Sequence, residues 1–433
     1  MRIVAVFGCL VVTSLAFAAA ACTTTYIDAP PTMGDDAGVS NDDAGGTDSG
    51  KPVVQDAGKK DANVILPSAM AAPQILNIGG SVMKTPRIVP IFYPGEPYVT
   101  QLTTFITNLA GSSYWTATTS EYGVGPVTAG ASHTMATAAP TTIDDAEIKT
   151  FLTTQLDGAH GWGMPDPSTI YTIYYPSTTT ITLMNATSCS AFGGYHNEVT
   201  IGATRVVYAV MPRCSAGGSD LDYLTSASTH ELIEAVTDPH PFTGAAFNQP
   251  DDDHLVWALF PISEVGDMCT FNTGAEVNLL EIGYVVQRTW SNKAAAAHHN
   301  PCVPAPAGRV YFNSVPILKD TVNIDLSGGM GGTGYPTKGV AVPVGTSKTI
   351  DVSLFADGST GPWTVQAVDY EQYMKHASPD LSFAIDKTQG SAGDTLRLTI
   401  TRNAVGAYGG SAFILSSSQG ASNQNLWVGF AGN

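Results

Sequence analysis

The chain has 433 residues and a formal net charge of −18, with 19 Lys and Arg against 37 Asp and Glu. An acidic balance of that size excludes a nucleic-acid binder, because phosphate recognition needs clustered Lys and Arg. An apolar content of 43% over this length also excludes a wholly disordered chain and leaves room for more than one folded unit.

Residues 1–22 read as a lipoprotein-type signal peptide. Arg2 supplies the positive start, Ile3 to Ala18 a short apolar run, and Ala19-Ala20-Ala21-Cys22 a lipobox-like end with Cys22 as the lipidation site. The run is too short for a spanning helix, and no later stretch is long and apolar enough. Plain cleavage at the same Ala-x-Ala is the alternative. The expectation is therefore an exported protein of the cell envelope, either an outer-membrane-anchored lipoprotein held by its N-terminal lipid or an extracellular one. Residues 23–70 are rich in Asp, Gly, Pro and Thr and poor in core-forming side chains, so they read as a disordered tether.

From about Ile75 the texture changes. Arg87 to Tyr93 predicts a buried strand closed by Pro94-Gly95. Val99 to Leu109 predicts an amphipathic helix with Leu102, Phe105, Ile106 and Leu109 on one face. Ile143 to Leu156 predicts another, opened by Asp144-Asp145. Ile170–Tyr175 and Val206–Val210 are β-rich runs suited to a central sheet. Strands alternating with helices give an α/β or α+β domain over residues 71–305, ended by the proline-rich Pro301–Pro306 linker. Residues 306–433 show short strands and Gly, Asp and Ser turns, as in Thr349–Phe355, Trp363–Ala367, Thr395–Thr401 and Ala412–Ser416, and predict an all-β sandwich. Residues 67–307 hold seven Lys or Arg against 20 Asp or Glu, whereas residues 308–433 hold eight against nine, so the acidity belongs to the first domain.

Beyond the leader four cysteines remain, and in an exported chain four favour two disulfides. Sequence order suggests Cys189–Cys214 and Cys269–Cys302 among three connectivities. No CxxC spacing speaks for a zinc ribbon.

The strongest chemical signal is Thr229-His230-Glu231-Leu232-Ile233-Glu234. Ser219, with Asp222 three residues on, predicts a helix start, and Asp238-Pro239 predicts its end. On that helix His230 and Glu234 stand one turn apart, where an imidazole and a carboxylate can grip one divalent ion, and Glu231 can act as general base on water. The pattern is HExxE rather than HExxH. Chance would place it about 0.005 times in a chain with this many His and Glu. Glu264 and His240 compete for a third metal position. Asp267 reads as an orienting neighbour. His196 follows Gly193-Gly194 and reads as a donor to a developing oxyanion, with a structural histidine as the alternative. Zn²⁺ is the cofactor expected from these donors, with structural Ca²⁺ as the alternative. Asp251-Asp252-Asp253 lacks the spacing of a calcium loop. Gly329 to Gly334 fits GxGxxG formally but reads as a loop.

Five blocks also resemble a family of exported bacterial metallopeptidase-like proteins, distantly similar to the plant EXORDIUM, or phosphate-induced, proteins. They are Tyr122–Gly125, Cys189–His196, Ser228–Pro239, Glu264–Cys269 and Gln287–Asn292, all within residues 75–303. The resemblance implies a zincin-like helix in an exported protein. Together these readings predict a zinc-dependent peptidase or amidase acting on a peptide or protein. The alternative is a non-catalytic surface adhesion or binding lipoprotein with a structural cation.

Overall fold

The computed structural model describes residues 26–27, 71–214, 218–259, 263–326, 334–375, 378–421 and 423–433. The leader, Cys22 and the tether apart from Tyr26–Ile27 lie outside the described residues, as do residues 329–333 of the glycine-rich segment. The described chain is a mixed, strand-rich α/β fold.

Its first half is built on a sheet of β1 (Arg87–Phe92), β2 (Thr128–Ala129), β3 (His133–Thr134), β4 (Thr169–Tyr175), β5 (Tyr195–Ile201) and β6 (Thr204–Pro212). The order is β5-β6-β4-β1-β2, with β3 also on the outer edge of β1. Strands β1, β4 and β6 run parallel, and β5 is an antiparallel edge strand. Pro90 sits inside β1 yet breaks no ladder there. On the outer edge β2 pairs at Arg87 and Ile88 and β3 at Ile91 and Phe92, so the missing proline N–H falls in the gap between them.

The period of two assigns the faces. Ile88, Phe92, Ile170, Tyr174, Val207 and Met211 point to one side, and Val89, Ile91, Tyr171, Ile173, Tyr208 and Val210 to the other. The first side is covered by α1 (Val99–Leu109), which buries the four predicted residues, and by α3 (Asp220–Thr237). The second is covered by α2 (Asp145–Gln155) through Ile148 and Leu152. Asp144 caps α2, accepting from Glu147 N while Glu147 accepts from Asp144 N, a reciprocal capping box. Beyond α3 lies a hairpin of β7 (Glu276–Leu279) and β8 (Tyr284–Gln287). Tyr26–Ile27, in the segment read as a structureless tether, pairs in parallel with Asn278–Leu279 of that hairpin.

The second half forms two sheets. One has the order β9 (Phe312–Pro316), β12 (Ser347–Ala356), β15 (Thr395–Arg402), β14 (Leu381–Ile385). The other runs β10 (Asp320–Ile324), β11 (Tyr335–Ala341), β17 (Gln424–Gly432), β16 (Ser411–Ser418), β13 (Trp363–Asp369), extended by Gln389–Gly390. Aromatic pairs close the space between them: Phe312 meets Trp363 at 5.0 Å between ring centroids, and Phe383 meets Phe413 at 5.9 Å.

The halves share a core. The Trp257 ring lies 6.0 Å from Trp290 and 5.9 Å from Trp427, all three buried. Leu255 N donates to Thr337 Oγ1 of β11, and Tyr370 donates to Leu259 O. The proline-rich linker is itself tied down. Cys302–Val303 pairs with Thr289–Trp290, and Arg288 donates to Cys302 O and Pro304 O. Both disulfides join the cysteines adjacent in sequence, Cys189 to Cys214 and Cys269 to Cys302. Among the described residues no helix is long and apolar enough to cross a membrane.

Candidate metal centre

Helix α3 carries the centre. Ser219 Oγ accepts from Asp222 N, and Asp220 and Asp222 lie at the positive helix end, so the start is capped as the sequence predicts. The helix ends at Thr237, before Asp238-Pro239. From Leu224 on, no face of the helix is exposed. With the sheet on one side and the β7–β8 hairpin on the other, Thr225, Ser226, Ser228 and Thr229 are buried too. Each of these hydroxyls is bonded: Thr225 to Asp222 O, Ser228 to Tyr174 and Leu224 O, Thr229 to Ser226 O and Gln287 N, Ser226 to Glu276. That satisfaction makes burial of so polar a helix tolerable.

His230, Glu231 and Glu234 project from the C-terminal half of α3. His196 comes from the edge strand β5, and Glu264 and Asp267 from the segment entering the Asp267–Cys269 turn. His230 Nε2 lies 3.3 Å from Glu234 Oε2, 3.6 Å from Asp267 Oδ1 and 3.9 Å from Glu231 Oε1. His196 Nδ1 lies 3.5 Å from Glu231 Oε2 and 3.8 Å from Glu234 Oε2, and its Nε2 lies 3.7 Å from Glu264 Oε1. Donor atoms of His230, Glu234 and Asp267 are all within 4.8 Å of one another, as are those of His196, Glu234 and Glu264. Asp267, an orienting neighbour by sequence, thus stands beside His230, while Glu264 faces His196.

His240 stands elsewhere. Its Nδ1 faces Glu198 Oε2 on β5 at 2.9 Å, and it belongs to neither triad. The cause is the turn after α3. Asp238 Oδ1 accepts from Ala246 N and Oδ2 from Asn248, which folds the chain away from the centre. Asp251 accepts from Gln74 N and Asp253 N and pairs with His254, a loop brace.

The donors are oriented from behind. Gly266 O can only accept, so the Gln287 amide nitrogen faces it at 2.7 Å and the amide oxygen faces His230 Nδ1 at 3.1 Å. In the neutral imidazole the proton is thereby held on Nδ1, which leaves Nε2, on the side of the acids, for a cation. His196 Nε2 likewise donates to Asp238 O at 3.1 Å, which frees Nδ1. Two glycines admit the carboxylates. A Cβ on Gly266 would stand 2.6 Å from Glu234 Oε1, and one on Gly194 2.9 Å from Glu231 Oε1. Gln287, missed as a site residue in the sequence, lies in one of the five resembling blocks, which was its signal.

This donor set fits a divalent cation. Glu264 Oε1 is buried without a hydrogen-bond partner, and an orphaned buried carboxylate oxygen is costly unless something cationic meets it. Two imidazoles among the donors suit zinc better than calcium, which takes six to eight oxygens.

Without a cation the acids and imidazoles must share protons. Burial and then the field of Glu234 push Glu264 well above the usual carboxylate range. Asp267 is raised by burial and Glu234 although His230 opposes it. For His230, burial acts downward but Glu234, Glu231 and Asp267 outweigh it and hold the imidazole well above the ordinary range. Glu234 alone goes the other way: burial acts upward, and His230 and His196 pull it below. Raised carboxyls make the folded state bind more protons than the unfolded state above pH ~4, so stability falls as pH climbs through their folded values. The raised His230 is stabilising below pH ~6.5 and loses that contribution as pH climbs through its folded value. Glu234 adds stability above pH ~4 that is lost only in acid. Chelated protein should therefore show a Tm that declines as pH climbs from the ordinary carboxylate range through neutrality, and Zn²⁺ should raise it most at the alkaline end. Calorimetry across that range checks this, and a chelated Tm that rises with pH refutes the proton-sharing account.

No family model and no curated protein matches the chain. Among solved structures it is similar to a conjugative transposon lipoprotein from Bacteroides eggerthii DSM 20697, at 14% identity and a TM-score of 0.17, covering 28% of this chain and 97% of that one. It is also similar to a beta-glucosidase from Listeria innocua, in complex with glucose, at 8% identity and a TM-score of 0.16, covering 83% of this chain and 48% of that one. Likenesses at these scores carry no argument about fold or activity.

Proposed function

We propose that this chain is an exported metal-dependent hydrolase of the peptidase or amidase class, with a zincin-like metal domain and a β-sandwich behind it. The observation that carries the reading is the convergence of His230 Nε2, Glu234 and Asp267 with Glu231 alongside. These residues would hold Zn²⁺, which when bound polarises a carbonyl and acidifies water. The chain's own part is to place groups around that chemistry. Gln287 keeps the His230 lone pair on the cation side. Glu231 takes the proton of the attacking water and passes it to the leaving nitrogen. Side-chain exposure of 23% at Asp267 and 16% at His230, against 4% at Glu234, puts the open side at Asp267. The substrate carbonyl would approach there. The leader supports export, by lipid anchorage at Cys22 to the outer membrane or by release outside the cell.

The low exposure of Glu231, Glu234 and His196 favours one rival, a structural cation in a non-catalytic surface protein. Full-length chain stripped by chelator and dialysed against Zn²⁺ or Ca²⁺ separates the two. Zinc retention that restores cleavage of a peptide library is expected. Calcium retention with no turnover, or turnover indifferent to chelator, removes the metal-dependent hydrolase reading.

A further inference from the structure

We propose that the centre takes two divalent cations, bridged by Glu234: one between His230, Glu234 and Asp267, the other between His196, Glu234 and Glu264. This rests on the metal-site reading above and extends it. The two triads share Glu234 and no other residue. Each has its own imidazole, and each imidazole has one nitrogen committed to a neutral acceptor. Gln287 Oε1 takes the proton of His230 Nδ1, and Asp238 O takes that of His196 Nε2. The other two nitrogens, His230 Nε2 and His196 Nδ1, both face Oε2 of Glu234, at 3.3 and 3.8 Å, and His196 Nδ1 also faces Glu231 Oε2 at 3.5 Å. A carboxylate flanked by two imidazole nitrogens that have no neutral acceptor has the disposition of a bridging ligand.

Charge points the same way. Four carboxylates meet here: Glu231, Glu234, Glu264 and Asp267. Among the described residues their ion-pair partners are His196 and His230, with no Lys or Arg. One divalent ion beside two neutral imidazoles leaves two of those four charges unmatched, besides that of the buried Asp238 nearby, and a second ion offsets them. The sign of the second position is Glu264 Oε1, buried and without a hydrogen-bond partner, at the edge of the His196 ring 3.7 Å from Nε2. Mixed nitrogen and oxygen donors suit Zn²⁺ or Mn²⁺. Paired ions about 3.5–4 Å apart clamp both the attacking and the leaving atom of a hydrolytic step.

The test is metal stoichiometry with a spectroscopic check on the full chain. Apo-protein titrated with Zn²⁺ should retain about two ions per chain by elemental analysis, and His196→Ala and Asp267→Asn about one each. Mn²⁺-loaded wild type should give the spectrum of an exchange-coupled pair, and either variant the six-line spectrum of an isolated ion. The wild-type spectrum decides the matter even if a variant fails to fold. One Zn²⁺ per wild-type chain, with uncoupled Mn²⁺, overturns the pair and leaves the single-cation hydrolase standing. Binding of neither ion overturns both.

Discussion

Glu231→Gln should lower kcat on any peptide cleaved by the zinc-loaded chain by about 10²–10⁴-fold while leaving the bound metal in place. Glu231 lies outside both triads, yet its two oxygens stand 3.9 Å from His230 Nε2 and 3.5 Å from His196 Nδ1. It is therefore beside the cation positions without being needed to fill them. The amide keeps the size of the side chain, so the close fit over Gly194 is preserved and only the proton-accepting charge is lost. Steady-state kinetics paired with elemental analysis checks this. Loss of metal together with activity would make Glu231 a ligand. Unchanged kcat would take the proton transfer away from it.

Replacing Cys269 and Cys302 together by serine should cost about 3–4 kcal/mol of unfolding free energy by the loop-closure model, for a bridge between residues 33 apart in sequence. That is a large share of the roughly 5–15 kcal/mol that holds a typical domain folded. The effect should reach the metal as well. Cys269 closes the turn that begins at Asp267, and Asp267 N donates to Glu234 Oε1 at 3.1 Å. Freeing the turn loosens Asp267 and Glu264 together, so Zn²⁺ affinity should fall at least about tenfold. Denaturant unfolding and competitive zinc titration measure the two effects. An unfolding free energy within 1 kcal/mol of wild type, taken as about a third of the expected loss, would mean that the bridge is incidental.

Much of this arrangement was legible in the residues because it is local. The four-residue apolar stripe of α1, the Asp144–Glu147 box of α2 and the Ser219 cap of α3 are each written within one or two turns. Pairing cysteines in sequence order worked for a related reason, since both bridges close short segments. The His-Glu-Glu turn was legible for the same cause.

What stayed hidden depends on distant chain. Serines and threonines on α3 look like a solvated face until the β7–β8 hairpin covers them. Gln287 gains a role only because Gly266 and His230 stand on either side of it in space. His240 sits at a plausible spacing after His230, but the hydrogen bonds of Asp238 turn it toward Glu198. Spacing cannot report a side-chain bond made by the intervening residue. His196 was found through its glycine pair, yet its neighbours Glu231, Glu234 and Glu264 come from separate elements.

The tryptophan contact between the halves has a practical consequence for anyone shortening this chain. A fragment stopped at residue 306 would lack Trp427 and β11, and so would bare Trp257 and the backbone of Leu255, now buried against them. An indole stripped of its cover costs roughly 2–3 kcal/mol and offers a sticky surface. The segment so uncovered, 252–259, ends five residues before Glu264. The two-sheet half is thus a wall of the half that carries His230 and Glu234, and a fragment of that half alone is the wrong object to express.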